Sequence, residues 1–234
     1  MLHINEFLVN NRIYKKIDQT MPYKYFPKNK KELIEYIEEL LNQDIHDLNC
    51  IDTSNIKDMS ELFHPLYGTN ISNINNIDIS KWDVSNVKNM NAMFTYCDKF
   101  NCNISNWNVS NVRNMSEMFF GCKNFNQDLS KWNVSKVKDM NHMFDDCNKF
   151  NQDLNGWDVS NVTNMSNMFC DCENFNQSLN NWNVSNVEDM SDMFRGCKNF
   201  NYDINSWNVN KVKNMESMFF GCDSLKNKPT WYEE

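Results

Sequence analysis

Tryptophan returns every 25 residues, at Trp82, Trp107, Trp132, Trp157, Trp182 and Trp207, and other residues return in register with it. Val84 to Val209, Met90 to Met215, Met93 to Met218, Phe94 to Phe219 and Cys97 to Cys222 keep the same period without slipping by one position. A unit this short cannot enclose a hydrophobic core alone, so neighbouring units must stack and share one. The period therefore overrides the one or two ordinary globular domains that 234 residues would otherwise suggest.

Within one unit, Ile104, Trp107 and Val109 suggest a short strand whose alternation turns Trp107 and Val109 inward and Asn108 outward. Ser110 and Asn111 then turn the chain. Val112, Met115, Met118, Phe119 and Cys122 follow at a spacing that lines one face of a short helix. Gly121 and its equivalents Gly196, Gly221, Asp146 and Asp171 are residue types that end helices or tolerate positive φ. This reading predicts an α/β repeat solenoid: a leucine-rich-repeat-like stack of 25-residue strand plus short helix rungs, with a parallel sheet on one face and an N-terminal helical cap.

The array is expected to span residues 51–226 in about seven rungs, preceded by an N-terminal segment, 1–50, and followed by a C-terminal edge, 227–234. Asn29 to Gln43 reads as an amphipathic helix with Leu33, Ile34, Ile37, Leu40 and Leu41 on one face and Asn29 as N-cap, placed to cover the open end of the first rung. Glu6 to Lys15 suggests a hairpin turning at Asn10 and Asn11. The first rung is degenerate, with Met59, Leu62 and Phe63 matching Met90, Met93 and Phe94 and a loop of about six extra residues inserted around His64 to Asn76. At the far end Trp231 falls 24 residues after Trp207, and Pro229 suits a terminating edge.

A formal charge of -8 argues against a general nucleic-acid binder, which would present a basic stripe to phosphates. The mean hydropathy of -0.70 would suit a disordered chain, but 41% hydrophobic residues placed in register do not. Nothing approaches the roughly 18 apolar residues of a membrane span. No secretory leader or lipidation cysteine is apparent at the start, so the sequence as written is expected to be cytoplasmic, and a monomer is favoured.

Chemistry is harder to find. Six of the nine cysteines form the 25-residue column, a spacing unlike paired zinc ligands, so they read as a buried thiol ladder. Cys50, Cys102 and Cys170 lie off the column without an obvious partner. His142, equivalent to Ala92, Glu117, Asn167, Asp192 and Ser217, reads as a solvent-facing helix residue. Asn101, Asn126, Asn151, Asn176 and Asn201 read as turn residues that satisfy backbone groups from inside the coil. Asp128, Asp153 and Asp203 offer one carboxylate per rung, too sparse for a calcium cage. With five glycines and no nucleophile–base motif, no catalytic residue, cofactor or metal site is expected. The candidate ligand face is the outward strand column of Asp83, Asn108, Asn133, Asp158, Asn183 and Asn208, flanked by Lys81 and Lys131. An Asn/Asp ladder that merely ends the sheet in water is the competing reading.

The run from Trp157-Asp158-Val159-Ser160-Asn161-Val162 to Met168-Phe169, followed by Cys172 and Phe175-Asn176, resembles the repeat of the BspA-type leucine-rich-repeat surface proteins, over about residues 51–226. The resemblance implies an adhesion or protein-interaction module, of a kind often found at the cell surface or secreted, and supplies no catalytic residue. The expectation is a non-catalytic scaffold that binds a protein or glycan along an extended face. A structural or effector-like module without a small ligand is the alternative, and an enzyme ranks third.

Overall fold

The computed structural model describes residues 6–9, 12–15, 23–66, 68, 74 and 76–233, with side chains from residue 23 onward. Strands β1 (Glu6–Val9) and β2 (Arg12–Lys15) pair antiparallel in the expected hairpin. Most of the inserted loop between His64 and Asn76 lies outside the described residues. Helix α1 (Lys30–Asn42) starts where the sequence places it, because Asn29 Oδ1 accepts the Glu32 N–H at 3.0 Å and closes the first turn. Leu33, Ile37 and Leu40 are buried and belong to the same core as Leu48 and Ile51, so the helix seals the stack at its N-terminal end. Lys30 Nζ donates to Ser60 Oγ of the first repeat at 3.1 Å.

The repeats themselves contain neither the short helix nor the strand that their spacing suggests. Among the described residues of 51–226 no helix or continuous strand forms, and the expected α/β solenoid with a parallel sheet is overturned. Each unit is a succession of tight turns. In the unit from Ile104, the N–H groups of Trp107, Val112, Met118, Phe120, Cys122 and Phe125 donate to the carbonyl three residues back. Between them, the N–H groups of Met115, Glu117, Phe119 and Gly121 turn outward and donate to the carbonyls of Asp139, Asn141, Met143 and Asp145 in the next repeat, at 3.0, 2.8, 3.0 and 2.8 Å. In a helix all of these donors would stay within their own segment. Here every second one joins two repeats, and the pattern recurs from Met90 to Gly196.

The backbone torsions explain the difference. Glu117 has φ 57° and Gly121 φ 73°, each at the third position of a turn, where type II geometry holds φ positive. Their equivalents share the feature, including Ala92 at 52°, His142 at 52° and Asn167 at 55°. A positive φ every four residues is incompatible with an α-helix. Asn114 strengthens the alternative by accepting the Ser116 N–H and hydroxyl at 2.8 and 2.7 Å, local bonding that competes with helix formation. Among the described residues the only parallel pairing is by isolated bridges, the run Asp58, Asn89, Asn114, Asp139, Asn164, Asp189 and Asn214, with Tyr25 to Ile51 and Asp47 to Asp78 at the N-terminal end.

The invariant columns fill and staple the shared core. Phe94, Phe119, Phe144, Phe169, Phe194 and Phe219 stack with centroids 5.6–5.8 Å apart. A second column, Phe100 to Phe200, runs beside it at 5.9–6.2 Å. Each tryptophan from Trp82 to Trp207 is buried and its indole N–H reaches back to the preceding repeat, as from Trp157 to the Leu129 carbonyl at 3.0 Å. Trp231 repeats this at 3.2 Å with Ile204 and stacks on Trp207, closing the far end. The Asn column acts between repeats and not inside the coil: Asn126 Oδ1 accepts the Asn151 N–H, and Asn151 Oδ1 accepts that of Asn176, both at 2.9 Å.

Positive φ at non-glycine positions stores strain that substitution can release or add. Glu117→Gly is expected to raise stability by about 0.5 kcal/mol, since glycine removes the left-handed penalty at some entropic cost. Gly121→Ala is expected to lower it by about 1–2 kcal/mol, because its new Cβ also meets the Tyr96 ring, whose Cδ1 lies 2.8 Å away. Denaturant midpoints of the two variants, moving in opposite directions, check the turn geometry.

Candidate functional site

The six residues of the expected ligand face, Asp83, Asn108, Asn133, Asp158, Asn183 and Asn208, are exposed and occupy equivalent places in successive repeats. They do not project from a strand. Each Oδ1 accepts the N–H two residues ahead, from Ser85, Ser110, Ser135, Ser160, Ser185 and Asn210, at 2.9–3.2 Å. This is the Asx-turn use of these side chains, and it ties the column to the backbone that follows each tryptophan. Lys81 and Lys131 are exposed beside it, and the Lys81 N–H is held by Asn49 Oδ1 at 2.8 Å. Asp128, Asp153 and Asp203 form another such column, accepting from Ser130, Asn155 and Asn205 at 2.8 Å. The bond from Ser130 holds the Asp128 carboxyl below its usual range.

The cysteine column is buried and all nine cysteines are free thiols. Each column thiol donates to a phenylalanine carbonyl of the preceding repeat, from 2.8 Å at Cys172 to 3.3 Å at Cys97. Burial pushes these thiols up, Cys222 to about 12, so they are hydrogen-bond donors and poor nucleophiles.

The positions that sequence reasoning passed over are those where the array stops repeating. Thr95, Phe120, Asp145, Cys170, Arg195 and Phe220 occupy one column with five different side chains, next to the column of Tyr96, Gly121, Asp146, Asp171, Gly196 and Gly221. Both lie on the flank whose N–H groups join the repeats. Aromatic rings run along it: His64 and Tyr96 lie 6.1 Å apart, Tyr96 and Phe120 4.9 Å, Phe120 and His142 5.9 Å. Tyr96 is 56% and Phe220 68% exposed, and the Arg195 guanidinium sits 5.7 Å over the Phe220 ring. Variation within an otherwise constant array was the available signal.

His142 is half-buried on this flank, where the sequence reading had left it in solvent. Its Nδ1 lies 2.7 Å from Asp145 Oδ2, and that bond raises the imidazole above its ordinary range. Asp145 is itself raised, because burial outweighs the bond from His142. On the side of the Asn column, a shallow groove of about 610 Å³ is lined by Asn126, Lys149, Asn151, Asn174, Asn176 and neighbouring polar residues. Among the described residues no helix is long and apolar enough to cross a membrane.

Shared core, stapled backbone and constant columns define a repeat protein. Its residues 29–137, 67–170 and 146–233 match the family model described as "Mycoplasma protein of unknown function, DUF285", and the chain belongs to that family. No curated protein and no solved structure matches it.

Two measurements test this geometry. Under native reducing conditions Cys50 and Cys102, the two half-buried thiols, are expected to react with a thiol reagent while the other seven react only after denaturation; peptide mapping identifies them. Asn133→Ala removes the acceptor for the Ser135 N–H and is expected to cost about 0.5–1.5 kcal/mol. Asn133→Asp keeps the oxygen and is expected to leave the melting temperature nearly unchanged.

Proposed function

We propose that the chain is a non-catalytic interaction scaffold that docks a protein along the variable flank. One observation carries this reading: the two most exposed aromatic rings among the described residues, Tyr96 and Phe220, and the exposed Arg195 stand on columns where the repeats differ from one another. Aromatic residues and arginine dominate binding hot spots because they bury large areas while keeping a directional polar group. A stack of equal modules converts such residues into an extended, unequal surface at fixed spacing. The constant columns serve the core or the turns, which leaves the differing columns to confer specificity. The resemblance of the repeat to BspA-type interaction modules supports the same reading.

A glycan bound in the Asn-lined groove is the second reading, favoured by that groove's polarity. Against it, the Asn126 and Asn151 oxygens are already taken by backbone N–H groups of the next repeat.

The two faces separate by substitutions that spare the fold. Tyr96→Ser with Phe220→Ser removes exposed rings, and Asn108→Asp with Asn133→Asp and Asn183→Asp adds three negative charges to the Asx column while keeping each acceptor. Partners cross-linked to the wild-type protein are identified and their affinities measured by calorimetry. The flank pair is expected to weaken a protein partner by at least about tenfold, the worth of one modest hot spot, with the Asx triple within about twofold of wild type. Loss of binding in the Asx triple alone would return the site to the column of Asp83 and Asn108 and overturn the flank assignment.

A further inference from the structure

Two adjacent repeats place a carboxylate, a thiol and a second carboxylate at one spot on the variable flank. Asp145 is 8% and Cys170 7% exposed, and ligand atoms of Asp145, Cys170 and Asp171 all lie within 4.8 Å of one another. The backbone holds the group in place: the N–H groups of Asp146 and Asp171 donate to the Cys170 and Arg195 carbonyls at 2.8 and 2.7 Å. Gly196 leaves the room that Asp171 needs, because a Cβ there would collide with the Asp171 carboxylate.

The Cys170 thiol differs from the column thiols. They donate to backbone carbonyls at 2.8–3.3 Å, whereas Cys170 Sγ donates to a side chain of the cluster, Asp171 Oδ2, at 3.8 Å. It is more than nine-tenths buried, bonded to the Asp171 carboxylate and within 4.8 Å of a carboxylate oxygen of Asp145. Two nearby cations have other partners, Arg195 on Asp192 at 3.3 Å and over Phe220 and Lys123 on Asp146 at 3.5 Å, while His142 bonds Asp145. Glu117, Asp146 and Asp192 add further negative charge around the cluster. Asp145 and Cys170 are both buried, and a cation among them would offset the cost of holding negative charge there.

We propose that Asp145, Cys170 and Asp171 form a site for a divalent transition-metal ion of the zinc type, with His142 as the outer partner that positions Asp145. Thiolate with carboxylate oxygen suits zinc or cobalt, whereas calcium and magnesium take oxygen donors only. Three protein donors leave a fourth position for water. Tetrahedral ligand atoms sit about 3.3–3.8 Å apart at zinc bond lengths, so the three donors need to close by at most about 1.5 Å. As the metal–sulfur bond forms, the thiol proton leaves to solvent, so binding releases a proton and strengthens as pH rises. His142, bonded to Asp145 at 2.7 Å, has the place of the hydrogen-bonding group that orients a metal ligand.

The test is a titration of the reduced full chain with Co²⁺, read by the near-ultraviolet sulfur-to-cobalt charge-transfer band. One Co²⁺ per chain is expected, displaced by Zn²⁺. The array supplies variants that it already tolerates at equivalent positions: Cys170→Thr as at Thr95, Asp171→Gly as at Gly196, and His142→Asn as at Asn167. Cys170→Thr is expected to abolish the band and Asp171→Gly to weaken it. His142→Asn is expected to keep it with on the order of tenfold lower affinity. Cys50→Ser and Cys102→Ser are expected to leave it unchanged, with folding followed by melting temperature. Zn²⁺ is also expected to slow labelling of Cys170 in the unsubstituted protein during partial unfolding, a readout that needs no variant. Absence of the band in the wild-type chain, or its persistence in Cys170→Thr, would overturn the site.

Discussion

Everything in the array depends on where alternate backbone N–H groups point. From Met90 to Gly196 every second donor in each turn cluster leaves its own repeat and finds a carbonyl in the next. The remaining donors close four-residue turns, so each unit is at once internally folded and bonded to its neighbour. Neither set suffices alone: isolated turns bury little, and unbonded exported donors would be orphaned against the core. The side-chain columns follow from this constraint. Trp157 Nε1 and Cys147 Sγ each add a second donor to a carbonyl that already closes a turn in the preceding repeat, and Asn126 Oδ1 accepts the Asn151 N–H of the next.

The core was legible in the sequence because burial repeats with the chain. Trp82 to Trp207, Val84 to Val184, Met93 to Met218 and Phe94 to Phe219 are all buried, as their constant spacing requires. Helix α1 was equally readable, since its cap and apolar face obey local rules. The secondary structure of the repeat was not. Val112, Met115, Met118, Phe119 and Cys122 share one side of a helix, but they also share one side of a chain of turns with positive φ at Glu117 and Gly121. Periodicity of apolar residues cannot distinguish the two, because it reports which side chains are buried and not where the intervening N–H groups go. Asn114 and Ser116 were the residues that argued against a helix, through their preference for bonding to nearby backbone.

The functional positions divide along the same line. The Asx column was found because it is regular, and its regularity reflects a turn requirement: Asn133 and Asp158 hold Ser135 and Ser160. Asp145 and Phe120 escaped notice, and Cys170 stood out only as a cysteine without a partner, because they share a column with no common chemistry. Their proximity needed the stacking register, which brings residues 25 apart in sequence into contact. In an array so constant, irregular columns are the places where the individual repeats are free to differ.

On the variable flank the exported donors of the turn clusters all reach the next repeat, whereas the N–H groups of Arg113, Lys138, Thr163 and Glu188 elsewhere in the unit reach the preceding one, so the flank is vectorial. A repeat offers N–H groups on one side of this flank and carbonyls on the other, so its two edges are complementary and neither is complementary to itself. At the N-terminal edge α1 covers the apolar opening; at the opposite edge the equivalent donors are those of Met215, Ser217, Phe219 and Gly221, which bond to no later repeat among the described residues. Two such edges brought face to face would set donor against donor. Along that flank the backbone thus gives the array a direction, as a polar filament has, and disfavours pairing of like ends there.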